Sequence, residues 1–206
     1  TEYIQSLGIS YDVHSLEGFL YPDTYTLLST YNENDLLSLF TKRFMDIYNL
    51  YISPIAKNSN LNFNDIITLG SIIQSEAMLV SEMPIISYVY QNRLSIGKKL
   101  EADPTVLYYM SDDTLTLYKG DPYSHTGYNI FKKYKKMKNP FNTYIYKGLP
   151  PGAISNPSLE ALKAVIEPSD TSKFFIYFVA DGSGGHFFSE TLREHKRAIK
   201  RIRNGN

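Results

Sequence analysis

The sequence predicts an α+β fold, with a helical N-terminal part and a small, mainly antiparallel sheet built largely from the C-terminal half. Three observations carry that prediction. Apolar residues recur at helical spacing in three successive segments between residues 34 and 97. The apolar run Phe174 to Ala180 is followed by Gly182-Ser183-Gly184-Gly185 and then His186-Phe187-Phe188, the pattern of a hairpin. Helices therefore come first and the sheet late, which favours segregated elements over strand-helix alternation.

Taken in order, Thr1 to Leu7 has the make-up of a short helix ended by Gly8, and Leu16 to Tyr25 is extended or turn-like, punctuated by Pro22-Asp23. Asn34-Asp35 stands before Leu36, Leu37, Leu39, Phe40, Phe44, Ile47 and Tyr48, which predicts a capped helix to about Tyr51. Asn64-Asp65 caps a second apolar run, from Ile66 to about Met78. Ser81-Glu82-Met83-Pro84 opens a third, closed by Gly97. Asp103-Pro104 begins one or two helical turns with proline at the first position. Residues 111–139 are polar, contain Gly120, Pro122 and Gly127, and hold Lys132, Lys133, Lys135, Lys136 and Lys138, so a long loop or excursion is expected. Phe141 to Tyr146 has the pattern of a strand, and Gly148 to Gly152 that of a stiff turn. Ser158 starts a helix to about Ile166, the hairpin follows, and Glu190 to Arg203 forms the last helix.

The chain has 206 residues, enough for a buried core, and is expected to form one domain spanning 1–206. Its 21 basic and 21 acidic residues balance, which argues against a surface shaped for nucleic acid. With no cysteine it has no disulfide, thiolate zinc site or cysteine nucleophile, though the compartment stays open. Four histidines without metal spacing imply no metal, and no cofactor motif is present. The 18 Tyr and 11 Phe suit carbohydrate surfaces and core edges alike, or reflect a Tyr-, Asn- and Lys-rich composition. No signal peptide or run of about 18 apolar residues occurs. A start at Thr1 suggests an excised piece.

Among the carboxylates Glu76 stands out. Counting back along its helix by three, four and seven residues gives Ile73, Ile72 and Leu69, all apolar and on the face it shares. Glu76 is thus expected at the edge of the buried stripe, where desolvation favours the protonated form a general acid needs. The other account of it is an end-of-helix glutamate that reaches solvent or pairs with Arg93. Glu82 and Asp103 flank helix starts, where the dipole favours negative charge. Arg93 can hold a carboxylate as a structural ion pair. The basic residues of 132–138 and of the last helix form solvated faces, or attract an anionic envelope surface.

In order along the chain, Leu16-Glu17-Gly18-Phe19-Leu20-Tyr21-Pro22-Asp23-Thr24-Tyr25, Gly70 to Ala77, Asn92-Arg93-Leu94, Leu100-Glu101-Ala102-Asp103-Pro104-Thr105-Val106, Asn142-Thr143-Tyr144, Gly148 to Pro157 and Phe178 to Phe188 resemble the YceG-like family of endolytic murein transglycosylases. The resemblance runs from about Leu16 to Ile202 and implies a bacterial enzyme that cuts nascent peptidoglycan strands between N-acetylmuramic acid and N-acetylglucosamine. It implies that Glu76 is the catalytic residue, that Asn142, Tyr144, Asp103, Arg93 and Asp181 are candidates for substrate binding, and that no cofactor is needed. It also implies a single-pass membrane anchor and a LysM-like segment missing from this piece, a catalytic part facing the periplasm or extracytoplasmic space, and wall synthases as candidate partners. Gln74 departs from the family, whose members often carry a second glutamate there, and the 111–139 segment is longer and richer in lysine than usual. The competing assignments are a lysozyme-type hydrolase and a non-catalytic glycan-binding or wall-synthesis scaffold.

Overall fold

A computed structural model of the chain describes residues 15–57, 59–122 and 124–204, so the helix expected over Thr1 to Leu7 lies outside the described residues. The described residues are mainly helical with one two-stranded antiparallel sheet near the C-terminus, as expected of an α+β chain. They divide into two compact units, one within residues 15–88 and 152–170 and the other within residues 89–151 and 171–204.

In the first unit, α1 (Glu33–Ile47) starts at Asn32, whose side chain accepts from the Asp35 N–H at 3.1 Å while the Asp35 carboxylate accepts from the Asn32 N–H at 3.0 Å. The cap is thus Asn32 rather than Asn34, because only the earlier residue has an acid three positions on to close the reciprocal pair. The helix does not stop near Tyr51. It widens into a π turn over Tyr48–Ile52 and continues as α2 (Ser53–Ala56). Pro54 lacks an N–H and its ring clashes with the carbonyl four residues back, and the wide turn just before it absorbs that conflict. Next, α3 (Phe63–Glu76) is capped by Asn62, two residues earlier than expected, and ends at Ala77, which is extended.

Phe19, Phe44, Tyr48 and Phe63 form an aromatic cluster with centroid separations of 4.7–6.1 Å. Ile66, Ile67, Leu69, Ile72 and Ile73 of α3 are buried. A later helix of this unit, Leu159–Ile166, buries Ala161, Leu162, Ala164 and Val165 and packs on α3. Gly70 allows that approach, since a Cβ there would stand 3.2 Å from Leu162 Cδ2.

A short 3₁₀ turn, Val80–Glu82, leads into α4 (Met83–Ser95), through which the division between the units runs. Gly97, at φ +62°, ends it as expected. The second unit continues with α5 (Asp103–Leu107), proline in its first turn. Residues 111–139 are not a loop. They fold into α6 (Asp112–Gly120) and α7 (His125–Tyr134) joined by a short turn. Gly120 ends α6, Pro122 lies in the turn, and Gly127 is where helix meets turn, since a Cβ on it would lie 2.8 Å from Pro122 Cα. Three residues with loop chemistry therefore mark one tight connection.

Phe141 to Tyr146 is not a strand either. The Ile145 and Tyr146 N–H groups both donate to Asn142 O at 3.0 Å, and Asn139 Oδ1 accepts from the Phe141 N–H at 2.9 Å, so asparagine-centred turns take the backbone groups a ladder would use. The Leu159–Ile166 helix, α8, begins at the expected cap Ser158. The hairpin of β1 (Tyr177–Ala180) and β2 (His186–Ser189) pairs Phe178 with Phe188, and β1 is shorter than the expected Phe174 to Ala180. Finally α9 (Leu192–Arg203), capped by Thr191, packs on both strands and leaves Arg193, Lys196, Arg197, Lys200, Arg201 and Arg203 exposed.

Candidate active site

In the first unit, Glu76 is the last residue of α3 and is half-buried, while Leu69, Ile72 and Ile73 are fully buried. Three motif segments meet around its helix. The Ser71 hydroxyl donates to Thr68 O at 2.7 Å and accepts from the Ile154 N–H at 3.0 Å. The Ser155 hydroxyl donates to Ser71 O at 2.9 Å and lies 3.0 Å from Ser75 Oγ. Gln74 Oε1 accepts from the Ser158 N–H at 3.0 Å, an acceptor role a glutamate would also fill. Asn156 Oδ1 accepts from the N–H groups of both Gly18 and Leu20, at 2.9 and 3.0 Å. Gly18 adopts φ +93°, and a Cβ there would fall 2.6 Å from Ala153 Cβ and 2.8 Å from Ile67 Cγ2. Beside it, Glu17 is half-buried, and burial pushes its carboxyl above the ordinary glutamate range. Sequence reasoning left Glu17 without a role. The only available signal was its place beside a glycine that must approach another backbone segment.

In the second unit the Tyr144 hydroxyl donates to the Asp103 carboxylate. Asp103 keeps solvent access as a residue, yet burial of its carboxyl pushes its pKa up, opposed by the Tyr144 hydrogen bond and the nearby Lys135 ammonium. Asn142 is fully buried: its amide nitrogen donates to Lys135 O and Met137 O at 3.1 and 2.9 Å, and its Oδ1 accepts from the Tyr144 N–H at 3.0 Å. The side chain is thus engaged with the backbone and fixes where Tyr144 starts. Arg93 is also buried, donating from Nε to Ile176 O at 2.7 Å and from Nη1 to Leu100 O at 2.7 Å, to Lys99 O at 3.2 Å and to the Glu101 carboxylate at 3.2 Å. It pairs with Glu101. The Thr143 hydroxyl accepts from the Ala102 N–H at 3.0 Å and lies 2.8 Å from Thr105 Oγ1, tying the turn to the start of α5.

Asp181 is placed apart from this pair in the hairpin turn. Its Oδ1 accepts from the Ser183 N–H, the Gly185 N–H and the Ser183 hydroxyl, which hold it below the usual carboxylate range. Glu101 carries the one positive φ of a non-glycine residue among the described residues, +52°. It lines a cleft of about 800 Å³ with Asp103, Tyr144, the α7 residues Tyr128, Phe131 and Lys132, and Lys135 at the end of α7. Among the described residues no three His, Asp or Glu side chains group as metal ligands, and no helix is long and apolar enough to cross a membrane.

Fold and constellations together define an α+β protein in which serine-, asparagine- and glycine-bearing loops are tied to the helix that carries Glu76. The chain belongs to the YceG-like family, which it matches over residues 2–201. It is 30% identical over 186 residues to an endolytic murein transglycosylase of Bacillus subtilis (strain 168), covering 90% of this chain and 47% of that protein. A protein of the same name from Streptococcus pneumoniae R6 is 26% identical over 192 residues, covering 90% and 32%. The chain thus spans less than half the length of these relatives. The crystal structure of a YceG-like protein from Listeria monocytogenes superposes with a TM-score of 0.75 at 30% identity, covering 95% of this chain and 62% of that one.

Proposed function

We propose that this chain is the catalytic portion of an endolytic lytic transglycosylase that cuts peptidoglycan strands between N-acetylmuramic acid and N-acetylglucosamine, with Glu76 as its acid and base. The observation that carries this is the position of Glu76. It is half-buried at the last residue of a helix with a fully buried apolar face, in a family whose curated relatives bear that activity in their names.

Protonated Glu76 donates to the glycosidic oxygen as the bond to the anomeric carbon breaks. The resulting carboxylate then takes the proton from the muramic acid's carbon-six hydroxyl, whose oxygen attacks the anomeric carbon and closes a 1,6-anhydro ring. The nucleophile belongs to the substrate, so a second carboxylate placed to activate water, as glycosidases require, is unnecessary. Asp103 and Tyr144 offer hydrogen bonds to sugar hydroxyls, while Asn142 and Arg93 act by holding the backbone on either side of that pair. Asp181 shapes the hairpin turn, and no cofactor takes part. The reaction takes place on the extracytoplasmic side, in a protein held to the membrane by an anchor outside this chain and working beside wall synthases.

The test is digestion of purified peptidoglycan followed by mass analysis of the new ends. Wild type should give 1,6-anhydro ends. Glu76→Gln should lower the rate by at least about a hundredfold, the usual scale for losing a general acid, with its circular dichroism unchanged. Products heavier by one water would mean hydrolysis, and equal rates for both proteins would remove Glu76 from the chemistry.

A further inference from the structure

We infer that the cleft of the second unit is a subsite for the carboxylated peptide that branches from the glycan strand, with Lys132 and Lys136 taking its carboxylates. This deepens the function proposed above and rests on that reading. Helix α7 and its C-cap Lys135 place Tyr128, Phe131, Lys132 and Lys135 at i, i+3, i+4 and i+7, so two rings and two ammonium groups share one face. That face lines the cleft of about 800 Å³ together with Tyr144, Asp103 and Glu101. The cations lie over rings: Lys135 Nζ is 3.7 Å from the Tyr144 centroid and Lys132 Nζ 5.7 Å from that of Tyr128. Tyr128 is 59% exposed, an aromatic face open to solvent at the rim.

Lysines at the end of a helix are favoured by its dipole whether or not they meet a ligand. Here, however, they stand on the walls of a cleft whose other charged groups are the carboxylates of Glu101 and Asp103. Glu101 is held by Arg93, and Asp103 by Tyr144 with the Lys135 ammonium nearby, so Lys132 and Lys136 are the cations of the cleft left to meet an anion. The two carboxylates also set the ligand class. A uniformly anionic polymer, such as a polyol phosphate, would bring like charge onto Asp103 and Glu101. A sugar bearing a peptide offers hydroxyl and amide donors to those acceptors, a flat face to the rings and carboxylates to the lysines.

Titration calorimetry on the chain tests this with three probes: a soluble disaccharide-peptide released from peptidoglycan, the same disaccharide with its peptide removed, and poly(glycerol phosphate). Wild type should bind the peptide-bearing probe about tenfold more tightly than the bare disaccharide, the sum expected of a few exposed charge pairs. In Lys132→Gln/Lys136→Gln that ratio should fall to near one, and the preference should weaken with added salt. Lys133→Gln removes the same charge from the same helix but lies outside the cleft, and it should keep the wild-type ratio. Equal binding of both disaccharides by wild type, equal loss in Lys133→Gln, or tighter binding of poly(glycerol phosphate) would each overturn the inference. Because binding is measured without turnover, a protein that prefers the peptide-bearing probe yet cuts nothing would sink the proposed activity and leave the subsite standing.

Discussion

Replacing Arg93 by methionine isolates what one buried guanidinium does for the second unit. Arg93 is 7% exposed and its Nε and Nη1 reach Ile176 O and Leu100 O, both at 2.7 Å, so methionine keeps much of the packing volume and deletes the donors. Leaving a buried carbonyl without its partner costs about 1–3 kcal/mol, and two such carbonyls lose a charged donor here. The pair with Glu101 adds little, because that side chain is 40% exposed and such pairs contribute at most about 1 kcal/mol. Contact with the Tyr177 ring, 5.3 Å from the guanidinium carbon, contributes about 0.5 kcal/mol. The expected loss is about 3–4 kcal/mol, read as a lower urea midpoint and a Tm lower by roughly 6–16 °C. Arg93→Lys, with one ammonium for two separated carbonyls, should recover about half. An Arg93→Met protein within about 1 kcal/mol of wild type would show that these hydrogen bonds do not organise the segment around Asp103.

Further outcomes follow from single positions. Gly18→Ala should cost about 2–4 kcal/mol, from the left-handed φ and the overlap with Ala153 and Ile67 together. Gly97→Ala, with φ +62° and open space, should cost only about 1 kcal/mol; equal urea midpoints for the two would refute the close-approach argument. At Glu101, alanine should be about 1 kcal/mol less stable than glycine, since both lose the exposed ion pair and alanine alone keeps the left-handed strain; equal melting temperatures would contradict it. Asp103→Asn tests the raised carboxyl pKa. Below the ordinary value of 3.8 wild-type Asp103 is protonated whether folded or unfolded and carries no penalty, whereas at higher pH only the folded state resists ionisation. The variant should therefore gain stability over wild type as pH rises from 3 to 7; a gain confined to acid pH would reverse the assigned direction.

The helices of the first unit were legible because their apolar spacing is strong, and the ends of α4 and the start of α8 because Gly97 and Ser158 are unambiguous signals. The starts of α1 and α3 were misplaced by two residues for one reason. Both segments offer two asparagines, and the one that caps has an acid three residues later, Asp35 for Asn32 and Asp65 for Asn62. The same rule places Thr191 and Glu194 at the start of α9. By contrast, helices α6 and α7 were hidden because Gly120, Pro122 and Gly127 were weighed separately as loop residues when their joint effect is one turn. The alternation in Phe141 to Tyr146 misled because Asn139 and Asn142 claim the backbone groups that pairing would need. Of the site, Glu76's place beside buried Leu69, Ile72 and Ile73 was readable from spacing. That Asn142 and Arg93 would bond to backbone was not, because the partners of Arg93 at residues 99–101 and 176 meet only through the fold.

Those partners explain why motifs far apart in sequence belong to one pattern. In the first unit, residues 16–25, 70–77 and 152–157 contribute to one network, with Asn156 holding Gly18 and Leu20 and with Ser71 and Ser155 joining helix to loop. In the second, Arg93 joins residues 99–101 to Ile176, and Thr143 joins the Asn142 turn to Ala102. Most of the polar motif residues so engaged bond to backbone carbonyls or N–H groups. A change at Asn156 or Arg93 therefore acts on geometry, whereas a change at Glu76 or Asp103 leaves the backbone network in place and acts on a carboxyl group. The two kinds separate experimentally: network variants should lose stability and activity together, while Glu76→Gln should lose activity with its melting temperature kept.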